Sequence, residues 1–200
     1  MRTLFIDTAH RHLTVACVEK GSIVSLVHLE AFKSQSEKVM SAIGDCFAQA
    51  KWPPKSLQAI VLTQGPGSYT GVRIAMTIAK TLASVADIRL YTTTTLQLLA
   101  AAKDHCFVML DARSSRVYGA HVHQGQLAEE AQIYTIEQVQ KIRQKNKELT
   151  FFGDLHLIGE EDRYEDIEAG ILSCIDRAVR VNDIDSLIPL YLKSSEAYKL

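Results

Sequence analysis

Little in this chain breaks it up. Two hundred residues hold four prolines and ten glycines, and aromatic residues make up only 7%. The four cysteines, Cys17, Cys46, Cys106 and Cys174, form no Cys-x-x-Cys pair and no disulfide-like spacing, so they read as reduced core thiols. Neither sign of charge is in excess: Lys plus Arg is 22 and Asp plus Glu is 23, a formal net charge of −1. That balance argues against a free-standing nucleic-acid binder, which carries a strong basic excess. No apolar run approaches the roughly 20 residues needed to span a membrane. The N-terminus reaches an acid, Asp7, too soon for a secretory signal. With 47% hydrophobic and 22% charged residues, the composition is that of a globular protein able to bury a sizeable core. A soluble, cytoplasmic protein with no membrane partner is the expectation.

What is present is a repeat. An apolar run closes on an acid twice, at Leu4-Phe5-Ile6-Asp7 and at Val108-Met109-Leu110-Asp111. An offset of 104 residues also places Leu13 on Val117, Ala16 on Ala120, Val18 on Val122 and Gly21 on Gly125. Each copy reads as strand, acidic turn, strand, Gly-centred hairpin and strand. A helical segment follows in each half (36–50 and 135–146), then a short strand ending in Gly65 or Gly153, then a further helix (70–85 and about 169–181). The expected fold is α/β: two lobes, 1–104 and a smaller 105–200, with Asp7 and Asp111 facing a cleft. This arrangement resembles the plan of the actin-like, sugar-kinase and Hsp70 ATPase superfamily, with its RNase H-like lobes. The shorter, more polar second half makes it the trimmed lobe.

The segment Gln64-Gly65-Pro66-Gly67-Ser68-Tyr69-Thr70-Gly71-Val72-Arg73 joins a buried strand to a helix. Its glycines and proline preshape a tight turn, and Ser68 and Thr70 suit a helix start. Free amides there could cradle a phosphate or carboxylate; equally, the stretch could be a rigid, capped strand-to-helix turn. It is not a Walker loop, since no Lys follows Gly71, and Gly67-Ser68-Tyr69-Thr70-Gly71 is not a nucleophile elbow.

Phe5-Ile6-Asp7-Thr8, Gly65 through Ile74, and Leu110-Asp111-Ala112-Arg113 through Tyr118 together closely resemble the bacterial TsaB family. Pro189-Leu190-Tyr191-Leu192-Lys193 is similar to its C-terminal signature, with Lys replacing Arg. The resemblance spans nearly the whole chain. It implies a subunit of the machinery that makes threonylcarbamoyladenosine in tRNA, pairing with a catalytic TsaD-like subunit through first-lobe helices. It further implies self-association as a homodimer when alone, a TsaE-type ATPase docking nearby, and only indirect contact with tRNA. Two departures bear on the pairing surface: Gln35 precedes Ser36-Glu37 where relatives carry His, and Ala75 stands where they carry Gly.

The catalytic signatures of such folds are missing. The turns after the two acids, Asp7-Thr8-Ala9-His10 and Asp111-Ala112-Arg113-Ser114, lack glycine, so backbone amides cannot close on a polyphosphate. No histidine lies between His28 and His105, so no first-lobe helix supplies the His-x-x-x-His metal pair that the resemblance implies for TsaD, and there is no His-Glu-x-x-His. His121 and His123 share a strand face but lack a third ligand; they, His10 and His12 read as polar surface rather than metal ligands. No metal and no cofactor are expected. Lys141, Arg143, Lys145 and Lys147 spread around a helix end rather than forming a tRNA-binding stripe.

The helix from 71 to 85 carries only two charges and is apolar on several sides. Val72, Ala75, Ala79 and Leu82 form one stripe, while Ile74, Ile78 and Val85 lie on another flank. The preceding helix offers Val39, Met40, Ile43 and Phe47. The surplus apolar surface points to a partner, with Val39, Met40, Ile43, Phe47, Val72, Ala75, Met76, Ala79, Leu82 and Ala83 as the interface, so that Ala79→Arg should break pairing without unfolding the chain. Asp7, Thr8, Gly65, Gly67, Ser68, Thr70, Gly71, Arg73 and Asp111 remain as architectural residues with vestigial nucleotide contact, and no residue is expected to be catalytic. The rival reading is a small ATPase or phosphotransferase using Asp7 and Asp111 with magnesium.

Overall fold

The computed structural model describes residues 1–101, 103–164 and 166–192. Lys193 of the C-terminal motif lies outside them. The chain divides into two compact units. One comprises Met1–Thr95 and Cys174–Pro189, the other Leu96–Ser173 with Leu190–Leu200.

The first unit opens with an antiparallel meander, β1 (Arg2–Asp7), β2 (His12–Glu19) and β3 (Ser22–Glu30). Helix α1 (Gln35–Ala50), strand β4 (Ala59–Thr63), helix α2 (Tyr69–Ala86) and strand β5 (Arg89–Thr93) follow. β4 pairs in parallel with both β1 and β5. Strands β1 and β4 are buried almost throughout, as strands covered on both faces must be, which explains their unbroken apolar sequences. β3 alternates because it is the edge, and a register shift opposite Cys17/Val18 leaves Val24 as the extra residue of a bulge. Leu4, Ile6, Leu13, Val15, Cys17, Ile60 and Leu62 form the floor on which both helices pack.

Helix α3 (Thr95–Ala100) leads to the second unit, whose hairpin is β6 (Cys106–Arg113) and β7 (Arg116–His123). There follow β8 (Gln126–Leu127), β9 (Gln132–Thr135), α4 (Ile136–Lys145), β10 (Thr150–Gly153) and α5 (Ile167–Asp176). Thr135 and Gln138 close a reciprocal capping box on α4. β6 places Cys106, Val108 and Leu110 on one face and Phe107 and Met109 on the other, the latter against Val139 of α4.

The repeat is real at the level of topology. The first sheet runs β3-β2-β1-β4 before continuing to β5, and the second runs β8-β7-β6-β10. Both inner pairs, β1 with β4 and β6 with β10, are parallel. The copies differ in three ways. A bulge between Asp111 and Arg113 shifts the hairpin register; the third strand is split into β8 and β9, both on β7; and no strand lies beyond β10 among the described residues, which is the trimming.

The division departs from a single cut after residue 104. The last helix ends at Asp176 rather than near residue 181, and the chain then forms β11 (Val179–Arg180), antiparallel to β5. Val181, Ile184 and Leu187 pack on the first unit's core, and the Lys80 ammonium donates to the carbonyls of Asp185 (3.1 Å) and Leu187 (3.2 Å). The physical reason is the open edge of β5, whose backbone groups need a partner.

Candidate functional site

At the carboxyl end of β1 the acid is turned inward. Asp7 is 2% exposed; one carboxylate oxygen accepts the Ala9 amide at 3.1 Å and a short hydrogen bond from the Thr63 hydroxyl. Burial pushes its pKa upward, opposed by those two donors and by the nearby His10. Thr8 is fully buried, and its hydroxyl donates to the Gly71 carbonyl at 2.6 Å and accepts the Ala75 amide at 3.2 Å. The turn after β1 is thereby bonded into the first turns of α2.

The glycine-rich loop approaches the same turn from the other side. The Ser68 amide donates to the Ala9 carbonyl at 2.7 Å, and the Ser68 hydroxyl caps α2 by accepting the Gly71 amide at 3.2 Å. A Cβ on Gly71 would sit 2.0 Å from the Thr8 carbonyl oxygen, and one on Gly67 would sit 2.4 Å from that of Ala9. Gly65 joins Pro66 through a cis peptide, and its carbonyl accepts the Thr95 amide. The loop therefore packs backbone against backbone, with the Ser68 and Gly71 amides both used inside the protein. Thr70 and Arg73 are exposed on α2, where Arg73 donates to the Tyr69 hydroxyl at 2.6 Å and lies over its ring.

In the second unit Asp111 is partly exposed; its carboxylate accepts the Arg113 amide at 2.7 Å and pairs with the Arg113 guanidinium at 3.0 Å. The Asp111 amide donates to Asp154 at 2.7 Å. Asp154, His156 and Asp162 bring ligand-type atoms within 4.8 Å of one another, the one such group of three or more among the described residues. Its donors already have partners: Asp154 accepts from the Asp111 amide and the Tyr164 hydroxyl, and His156 Nδ1 lies 2.8 Å from Asp162. His121 pairs with Glu129 at 2.7 Å, while His123 lies 3.5 Å from Asp104, so the two imidazoles face different carboxylates.

His10, His12 and His28 gather beside the β2–β3 ladder, with ring centroids 5.3 Å apart for His10 and His12 and 5.0 Å apart for His12 and His28. Burial first, then the charges of His10, His28 and Arg11, push His12 down to about 4. Gln35 is buried and donates to the His10 carbonyl at 3.0 Å.

The expected interface needs correction residue by residue. Val39, Ile43, Val72, Ala75, Met76, Ala79 and Ala83 are all buried in the chain's own core. Phe47 and Leu82 are half-buried against it, and only Met40 is well exposed, at 57%. Of the two flanks of α2, the small-residue stripe faces the sheet, because small side chains let the helix lie close to it. The segment 181–187 adds cover from the chain's own C-terminal part. What faces outward is a shallow apolar groove of about 590 Å³ between α1 and α2, lined by Met40, Tyr69, Arg73, Ile74, Thr77 and Ile78 among others. Ile74 and Ile78 were legible as a second apolar flank; Tyr69 and Thr77 carried no such signal. No helix among the described residues is long and apolar enough to cross a membrane.

Comparison with known proteins gives one answer. Residues 27–152 match the family model described as TsaD, tRNA N6-adenosine threonylcarbamoyltransferase. The tRNA threonylcarbamoyladenosine biosynthesis protein TsaB of Bacillus subtilis is 28% identical over 98% of this chain and 96% of its own length. The protein of the same name from Buchnera aphidicola is 31% identical over 58% of this chain and 57% of its own length. A crystal structure from Pseudomonas aeruginosa, of a protein described as similar to peptidase YeaZ, superposes with a TM-score of 0.79. It does so at 20% identity, over 96% of this chain and 99% of that one, a likeness of fold. The duplicated α/β fold is thus shared with that structure, and the chain belongs to the TsaD family, in its TsaB (YeaZ-like) branch.

Proposed function

We propose that this chain is a non-catalytic, cytoplasmic accessory subunit in tRNA threonylcarbamoyladenosine synthesis, which binds a TsaD-like catalytic subunit and holds it in its active arrangement. The observation that carries the reading is the closed β1 turn. Asp7 and Thr8 are engaged by Thr63, Ala9, Gly71 and Ala75, so the two side chains with which an ATPase of this fold would approach a metal-bound phosphate are tied into the protein itself. A subunit without that grip acts through its surface, and the apolar groove between α1 and α2 is the surface we assign to the partner. A ligand that binds only the competent state of an enzyme shifts its population by the difference in affinity, which is how such a subunit activates. The same groove supports a homodimer when the chain is alone. A TsaE-type ATPase and the tRNA reach this subunit through the complex.

Co-purification with a TsaD-like protein, followed by modification assays with and without this chain, tests the proposal. Met40→Asp and Ile78→Asp are expected to abolish pairing and the stimulation of modification while leaving the far-UV spectrum unchanged. Isothermal titration of the isolated chain with ATP and magnesium provides the opposite test: tight binding with turnover sinks the accessory reading in favour of a small ATPase.

A further inference from the structure

Two of the four cysteines meet. Cys17 lies on β2 with its side chain on the same face as Val15, and Cys46 lies near the C-terminal end of α1, above that face. Both residues are 0% exposed. The Cys46 thiol reaches the Val15 carbonyl at 3.2 Å and is also in hydrogen-bonding contact with the sulfur of Cys17. Ser25 fixes this end of the helix by donating to the Cys46 carbonyl at 2.8 Å. Neither sulfur is in a disulfide.

We infer that Cys17 and Cys46 are a closable dithiol, which oxidation converts into a disulfide stapling α1 to β2. Contact between the two thiols, from a strand and from the helix packed on it, is what a disulfide between them first requires. The pair is asymmetric in the sense the chemistry requires. The contact with Cys46 holds Cys17 below the ordinary thiol range, and the contact with Cys17, followed by burial, raises Cys46. That direction favours Cys17 as the attacking sulfur and Cys46 as the resolving one. With a diazene such as diamide as oxidant, the Cys17 thiolate adds to one nitrogen of the N=N bond. The Cys46 sulfur then displaces it: the S–N bond breaks, the S–S bond forms, and the two thiol protons and two electrons leave in the hydrazine. Both sulfurs are fully buried, so access comes only through local opening of α1 from the sheet, which sets the timescale of hours. Because α1 is one wall of the groove, the staple would fix that wall to the sheet.

The test is a thiol map of the unaltered protein. After hours with diamide under native conditions, the chain is unfolded in urea with N-ethylmaleimide and digested without reductant. A single cross-linked product joining the Cys17 and Cys46 peptides is expected, with Cys106 and Cys174 recovered alkylated. The oxidised protein should also show a higher urea midpoint, which dithiothreitol reverses and which Cys46→Ala lacks. Recovery of all four cysteines alkylated, or linkage of any other pair, overturns the inference.

Discussion

Gly71→Ala separates two accounts of the glycine-rich loop, because they predict opposite signs. Gly71 lies in the first turn of α2, and helix propensity alone says that alanine there should gain up to about 1 kcal/mol. The structure says otherwise. A Cβ at this position meets the Thr8 carbonyl oxygen at 2.0 Å, and that atom belongs to a backbone held between β1 and β2. Relief requires the helix to move away from the turn. Such a shift breaks the Thr8 hydroxyl's bonds to the Gly71 carbonyl and the Ala75 amide, both buried. Overpacking costs about 1–3 kcal/mol, and each lost buried hydrogen bond about 1 kcal/mol. Set against the propensity gain, the net loss is about 2–4 kcal/mol, or about 4–16 °C in melting temperature for a chain of this size. Thermal and urea unfolding followed by circular dichroism measure it directly. An unchanged or raised melting temperature would show that the loop and the β1 turn are not welded, and would remove the support they give to a non-catalytic role.

Ala79→Arg, at a position with no exposure, should destabilise the chain by several kcal/mol because it buries a cation against the sheet; retention of the native urea midpoint would return that stripe to the surface. Asp7→Asn keeps an acceptor for Ala9 and Thr63 but removes a buried charge. The pKa of Asp7 is raised by folding, so the native state holds its proton more tightly and the penalty is present above the folded pKa, vanishing below the ordinary value of 3.8. The variant should therefore match or exceed the wild type at pH 7 and lose that advantage as pH falls; a large loss at pH 7 contradicts this. His12 has the opposite linkage for a base: its pKa falls from 6.5 to about 4 on folding, so stability is full above pH 6.5 and declines as pH falls toward 4. His12→Gln should flatten the urea midpoint across that window, and an unaltered slope would refute the assignment.

The sequence alone was enough for the repeat. Apolar runs closing on Asp7 and Asp111, with hairpin glycines at equal spacing, define two meanders because strand period and turn chemistry are local properties. The absence of glycine after each acid is legible in the same local way, because it limits how closely a backbone can approach; that the turn after Asp7 is hydrogen-bonded to α2 was not. Only the tertiary structure decided which flank of α2 is core. Periodicity displays two apolar stripes but not the direction of the sheet, so Ala75 and Ala79 passed for surface while Ile74 and Ile78, which line the groove, stood aside. It also decided that the chain returns after α5 to complete the first unit: an open edge at β5 recruits β11 through backbone groups, which every sequence carries and which leave no mark in its pattern.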